Sequence, residues 1–251
     1  RWSAAEHARL APLMAARKRD GFIRECHGDL HLGNLAWVDD QLLVFDCLEF
    51  NPELRWIDIM SEVAFCFMDL MQHGHADFAW LFLNLWLEKT GDHQGLALLR
   101  YYAVYRALVR VKVAVLRAGQ TAGASHDGTL ADARALLQLA TALTRPLPLR
   151  LDITHGLSGS GKTTVTRRLM QVPGAIRLRS DVERKRLAGL DALARSVSAV
   201  GEQLYAADAT RRTYGHLARL AGEILDAGWP VIADATFTAR WQRDLLRAQA
   251  Q

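Results

Sequence analysis

Apolar residues recur at spacings of three and four over most of the stretch from Trp2 to Leu143, and the pattern then switches to short apolar runs alternating with helical ones. Spacings of three and four gather side chains on one helix face, whereas short apolar runs between turn residues mark strands. A helix is predicted over Trp2–Lys18, followed by an approach segment, Phe22–Glu25. Leu35–Val38 and Leu42–Phe45, separated by Asp39-Asp40-Gln41, predict a hairpin. Helices follow over Leu54–Gln72, Ala76–Lys89 and Gly95–Ala118, dense enough in Trp, Leu and Phe for a buried bundle. A polar loop is predicted over Gly119–Gly128, then a helix over Leu130–Leu143.

Arg145-Pro146-Leu147-Pro148 reads as a linker, because two prolines two apart cannot sit inside a helix. Beyond it come a strand over Leu149–Thr154, a helix over Lys162–Met170 and a strand over Ala175–Leu178. A helix over Gln203–Ala227, a strand over Val231–Ala233 and a helix over Thr238–Ala248 complete the alternation. That rhythm predicts a parallel sheet covered by helices. The expected class is α/β, in two domains: a helical one over 1–144 and a sheet-based one over 145–251.

Composition narrows this picture only a little. Half of the 251 residues are hydrophobic, so a sizeable core can form. The formal net charge of +4 is a mild excess without a Lys/Arg run of the kind that binds nucleic acid. Cys26, Cys47 and Cys66 are odd in number and lack a CxxC spacing, which predicts neither disulfides nor zinc and points to a reducing cytoplasm. The apolar stretch Ile57–Leu87 is interrupted by Asp69, His73, Gly74, His75 and Asp77, so no membrane span is expected. The chain opens at Arg1 and closes at Gln251 within helical patterns, the expectation for an internal piece of a longer protein.

Candidate chemistry changes the picture much more. His27-Gly28-Asp29-Leu30-His31-Leu32-Gly33-Asn34 fits H-x-D-L-x-x-x-N at every fixed position, the pattern of a kinase catalytic loop. In such a loop the Asp, here Asp29, accepts the acceptor hydroxyl's proton, and the Asn, here Asn34, holds Mg²⁺. The hairpin returns the chain to Asp46, which with Asn34 makes an oxygen-rich site suited to Mg²⁺. His27 is read as a structural hydrogen-bonding residue and His31 as filler. Glu49 and Asp58 are read as holding helix starts or Arg55.

A second phosphate signature follows the linker. Gly156-Leu157-Ser158-Gly159-Ser160-Gly161-Lys162-Thr163 is a Walker A P-loop between a predicted strand and a predicted helix. Gly156, Ser158, Gly159, Ser160, Gly161, Lys162, Thr163 and Thr164 are the expected ATP-binding residues. Loop N–H groups close around the β-phosphate, the helix N-terminus adds a positive field, and Lys162 reaches the β/γ-phosphates. Thr163 and Asp234 are the expected Mg²⁺ ligands. Asp234 is followed by Ala235 and Thr236, with no adjacent Glu to activate water, which argues for transfer to an acceptor over a hydrolytic motor. Asp181 sits just after the second strand, where small P-loop kinases place an acidic residue; the alternative is a helix N-cap. Arg184, one turn on, is the expected ligand for an anionic part of the acceptor. Arg100, Arg106, Arg110, Lys112 and Arg117 read as a solvated helix face, with a domain interface or nucleic-acid contact as alternatives.

Glu25–Asn34, followed by Phe45-Asp46-Cys47-Leu48-Glu49-Phe50-Asn51, resembles the aminoglycoside phosphotransferase-like kinases. The resemblance is nearest to the bacterial group in which such a domain is fused to a P-loop ATP-binding domain, labelled an AAA-family ATPase. Tyr105–Val113 shares it, and the similarity extends over essentially the whole chain. It implies a helical protein-kinase-like C-lobe over 1–144 whose N-lobe is missing, with Lys18 too charged in context to serve as the N-lobe lysine. Arg177–Arg184 resembles the polynucleotide kinase, zeta-toxin and gluconate kinase group, which implies that Asp181 is a general base. The arginine lid of that group would follow Asp234; Arg240, Arg243 and Arg247 begin the helix before it, and the full lid is missing.

The expected function is ATP- and Mg²⁺-dependent phosphoryl transfer to small-molecule hydroxyls, with ATP and an unidentified acceptor as partners and neither membrane nor nucleic acid. Two rivals stay open. One is an ATP-binding sensor with an inactive kinase-like domain. The other is a polynucleotide 5′-hydroxyl kinase, which needs stacking aromatics; Tyr205, Tyr214 and Trp229 are the candidates, and helix-core roles suit them better.

Overall fold

The structure, a computed structural model, describes residues 1–120, 124–157, 159–191 and 206–250. Contacts divide the chain into two compact units: Arg1–Ala79 with Gly95–Pro146, and Trp80–Gln94 with Leu147–Gln251.

The first unit opens with α1 (Trp2–Arg19) and β1 (Ile23–Glu25). β2 (Leu35–Val38) and β3 (Gln41–Val44) form the hairpin the apolar pattern predicts, with Val38 opposite Gln41. Asp39 and Asp40 both take positive φ, 49° and 58°, as the tightest hairpin turns require. The segment expected as one helix from Leu54 divides into a short turn α2 (Pro52–Arg55), β4 (Trp56–Asp58) and α3 (Ile59–Gln72). β4 pairs antiparallel with β1, and the Asp58 side chain accepts the Met60 N–H, capping α3 at its start.

α3 is buried over most of its length, from Met60 to Asp69, and lies against α5 (Leu96–Ala118), which also packs on α6 (Ala124–Leu143). The polar loop expected to run to Gly128 is shorter, because α6 already begins at Ala124; Asp127 in its first turn suits the helix dipole. Arg17 is fully buried in this unit, at 0% exposure. Its guanidinium donates to both Asp58 oxygens, at 2.7 and 2.8 Å, and lies 4.0 Å over the Phe22 ring. Of the two roles expected for Asp58, a helix start or Arg55, it takes the first, capping α3 while also holding Arg17; Arg55 pairs instead with Glu25.

The second unit is a three-stranded parallel sheet in the order β5 (Leu151–Ile153), β7 (Val231–Asp234), β6 (Ile176–Arg179). Among the described residues its helices include α7 (Lys162–Leu169), α8 (Ser180–Leu187), α9 (Ala207–Asp226) and α10 (Arg240–Arg247). A π turn, Met170–Gly174, joins α7 to β6. β7 is buried at every position, and its apolar run Val231-Ile232-Ala233 suits a central parallel strand, with Asp234 at its carboxyl end. The arrangement is that of a P-loop NTPase-like domain.

Helical periodicity does not disclose the partner of α4 (Ala76–Thr90), whose Trp80–Thr90 portion belongs to this second unit. Among the described residues β6 is an edge strand, and Asn84 covers it: its Nδ2 donates to Ala175 O at 2.9 Å and its Oδ1 accepts the Arg177 N–H at 2.7 Å. One side chain thus supplies the donor and acceptor that a further strand would offer, which blunts an edge otherwise open to pairing. Among the described residues, no helix is long and apolar enough to cross a membrane.

Candidate phosphate-binding sites

The P-loop site grows from the end of β5. Gly159 and Gly161 have φ of 79° and 82°, a left-handed conformation that side chains rarely adopt, so the loop can curl over its own backbone only with glycine there. α7 starts at Lys162 immediately after Gly161, and its first-turn N–H groups face out of the helix end. The Lys162 ammonium folds over the loop, donating to Gly156 O at 3.0 Å and Leu157 O at 2.5 Å. Those carbonyls hold the cation where a triphosphate would take it over.

A cavity of about 680 Å³ opens beside this loop. Gly159, Gly161, Lys162, Thr163, Asp181, Arg184 and Asp234 all line it. The sheet explains the convergence: β6 and β7 run in parallel and end side by side, with Arg179 the register partner of Asp234. Ligands of open parallel sheets bind at this carboxyl end. Gly156, Ser160 and Thr164 shape the loop and the start of α7 without lining the cavity, and Ser158 lies outside the described residues.

Asp234 is buried, and its Oδ2 accepts the Thr166 hydroxyl at 2.9 Å. The Thr163 hydroxyl and the Asp234 carboxylate are hard oxygen donors on one cavity wall and fit Mg²⁺. Asp181 stands at the second position of α8, whose N-cap is Arg179, so it does not occupy the capping position. Its carboxylate is half exposed and accepts the Lys185 ammonium at 2.7 Å, one turn along. Arg184 is buried and donates to Thr210 Oγ1 at 3.3 Å.

Sequence reasoning missed part of this wall. Tyr214 is buried in α9, as a helix-core role requires, yet its hydroxyl reaches the Thr236 hydroxyl at 3.0 Å and it lines the cavity with Thr236, Thr238 and Gln242. Between the two threonines, the fully buried Phe237 holds a positive φ of 47° and meets the Tyr214 ring edge-on. A bulky residue in that region is strained, and such strain gathers at functional sites. Trp229 is a core residue, packed on Trp80, and Tyr205 lies outside the described residues.

The first unit gathers the other predicted residues. His31 Nδ1 accepts the Gly33 N–H at 3.0 Å, so the proton sits on Nε2, 3.3 Å from Asp29 Oδ2. The Asn34 amide donates to Asp29 O at 2.9 Å and Asp29 Oδ2 at 3.3 Å, leaving its carbonyl oxygen as the end able to meet a cation. The His31 hydrogen bond, assisted by Arg110 and Asn34 and opposed by burial, holds the Asp29 carboxyl below its ordinary value. His31 is therefore a partner of Asp29, not filler. His27 joins loop to hairpin: Nδ1 accepts the Asp29 N–H and Nε2 donates to Phe45 O at 2.7 Å. Phe45 N–H donates to Asn34 O, which brings exposed Asp46 (φ 60°) to the same end of the hairpin.

Three buried side chains grip this loop from below. Glu62 and Asp69, two turns apart on α3, accept the Gly28 and Leu32 N–H groups at 3.0 and 2.8 Å. Arg106 of α5 donates to Gly28 O at 2.9 Å and to Ser61 Oγ at 3.3 Å. At 7% exposure Arg106 is not on a solvated stripe, a correction that the spacing of Arg106 and Arg110 could not supply. Burial raises the Glu62 carboxyl, partly offset by the Gly28 bond and Arg106. Acidic residues inside so apolar a helix were the available signal. Among the described residues no cluster of three His, Cys, Asp or Glu side chains forms a metal site.

Comparison with known proteins places the second region. The chain is 32% identical over 239 residues to uncharacterized proteins of Mycobacterium tuberculosis and Mycobacterium bovis, a match covering 95% of the chain. It spans 46% of the length of those relatives, about half. No solved structure matches the chain. Residues 151–251 match the AAA domain family, and this region carries a P-loop NTPase-like AAA domain.

Proposed function

We propose that this chain belongs to an ATP- and Mg²⁺-dependent phosphotransferase acting on small-molecule hydroxyls, with the P-loop domain a kinase and the helical unit an aminoglycoside phosphotransferase-like C-lobe. The observation that carries it is the single cavity that collects Lys162, Thr163, Asp181, Arg184 and Asp234. Lys162 and the loop hold the triphosphate. Mg²⁺, when bound by Thr163 and Asp234, offsets phosphate charge. Asp181 accepts the proton of an acceptor hydroxyl whose oxygen bonds to the γ-phosphorus, while the bond to the bridging oxygen breaks and ADP leaves. Ala235 and Thr236 after Asp234 supply no carboxylate to activate water there.

In the helical unit the hydrogen bonds from His31 and Asn34 orient Asp29 as a base, and low basicity suits a residue that takes its proton late, as the new bond forms. Asn34 and Asp46 would hold Mg²⁺ there. The test is a radiolabelled ATP screen of the full-length protein against hydroxylated acceptors. Asp181→Asn and Asp29→Asn should each remove one acceptor class, by a factor on the order of 10²–10⁴, while nucleotide affinity persists. Turnover of every acceptor within a few-fold of wild type in both variants would refute these roles.

A further inference from the structure

One carboxylate in the second unit is shared between two arginines on β6. Glu88, buried on α4, accepts Arg177 at 2.7 Å through Oε1 and Arg179 at 3.2 Å through Oε2. Arg177 is buried beside it, with its Nη1 3.5 Å from Thr163 O at the start of α7. Arg179 is a quarter exposed and lines the cavity next to Ser180 and Asp181, opposite Asp234 across the last rung of the sheet. One negative charge between two positive ones leaves the group net cationic. The cavity wall as a whole presents Lys162, Arg179 and Arg184 against Asp181 and Asp234.

Lys162 and the loop N–H groups already serve the nucleotide phosphates. Arg179 and Arg184 instead flank Asp181 on the acceptor side, and both are held by fixed partners, Glu88 and Thr210. A planar guanidinium pinned at one edge keeps its other N–H groups oriented for an oxyanion. We infer that the acceptor of the P-loop site carries an anionic group, phosphate-like in its chemistry, that Arg179 binds it, and that Glu88 is the positioning residue for Arg179. This rests on the reading that the loop holds ATP·Mg.

The chain is saturated with a non-hydrolysable ATP analogue and Mg²⁺, so that the triphosphate position is filled, and inorganic phosphate is then titrated in. The wild type should bind phosphate. Arg179→Met should weaken that binding roughly tenfold or more while analogue affinity stays within about threefold. Arg179→Lys should retain part of the binding, and Glu88→Gln should weaken it by a smaller factor than Arg179→Met. Because Arg179 is partly exposed, its variants keep the test independent of whether the Glu88 variant folds. Wild-type phosphate affinity in Arg179→Met, or no phosphate binding by the analogue-loaded wild type, would overturn the proposal. So would an Arg179→Met protein that loses the analogue and keeps phosphate, since Arg179 would then serve the triphosphate. Failure of the wild type to bind the analogue would refute the nucleotide-site reading itself, and this inference with it.

Discussion

The Thr166 hydroxyl donates to the Asp234 carboxylate across 2.9 Å, with both residues buried. Thr163 O lies 3.2 Å from the same hydroxyl, but a hydroxyl has one proton and the ionised oxygen is the stronger acceptor. The bond ties the fifth residue of α7 to the end of β7. It fixes one Asp234 oxygen and leaves the other for the cavity.

Thr166→Val keeps the side-chain shape and removes that bond, leaving a buried carboxylate oxygen unpaired. A loss of about 1–3 kcal/mol is expected in urea denaturation, and Thr166→Ser should recover most of it. Equal stability of Thr166→Val and wild type would show the bond to be unimportant.

Asp58→Ala is expected to destabilise the first unit by about 3–5 kcal/mol, because it leaves Arg17 buried without its carboxylate. It also uncaps α3. The paired change Arg17→Met with Asp58→Ala should recover a good part of the loss, since no charge is then stranded. Denaturant midpoints of the single and double variants measure this directly.

His93 gives the P-loop unit a pH dependence. Burial holds its ring below the ordinary value of 6.5, with Arg186 and His216 acting the same way and Glu183 and Asp92 opposing. As pH falls through 6.5 the unfolded chain takes up a proton that the native ring resists. Stability present above that value is therefore lost progressively below it, down to the depressed native value. Thermal melts between about pH 7 and pH 5 should show a falling midpoint, and His93→Phe should flatten that part of the curve. A slope identical in the variant would assign the effect elsewhere. Glu183 acts at lower pH: burial alone would raise it, but His216 and Arg186 hydrogen bonds outweigh burial and hold it below 4.5.

What was legible in the sequence was local. The Asp39-Asp40 turn, the P-loop glycines and the strand-helix alternation after Pro148 each follow from short-range backbone chemistry, and each appears where the spacing puts it. What was not legible depends on which distant residue a side chain meets. Arg17 looks like any charged residue of α1 until Asp58, 41 positions away, is beside it. Arg106 looks solvated until the Gly28 carbonyl is found beneath the loop. Asn84 and Glu88 read as polar interruptions of an apolar helix, and only the edge of β6 reveals their use. The division of α3 from β4 was also hidden, because Trp56, Ile57 and Ile59 fit a helix and a strand equally until β1 pairs with β4.

The most direct measurement is isothermal titration of ATP·Mg into the wild-type chain and into Lys162→Ala. Lys162 is the cation poised over the loop, and without it the backbone N–H groups face the triphosphate unaided. The wild type should bind, and Lys162→Ala should show no measurable binding while remaining folded. Equal affinity in the two proteins would contradict the assignment of this cavity as the nucleotide site.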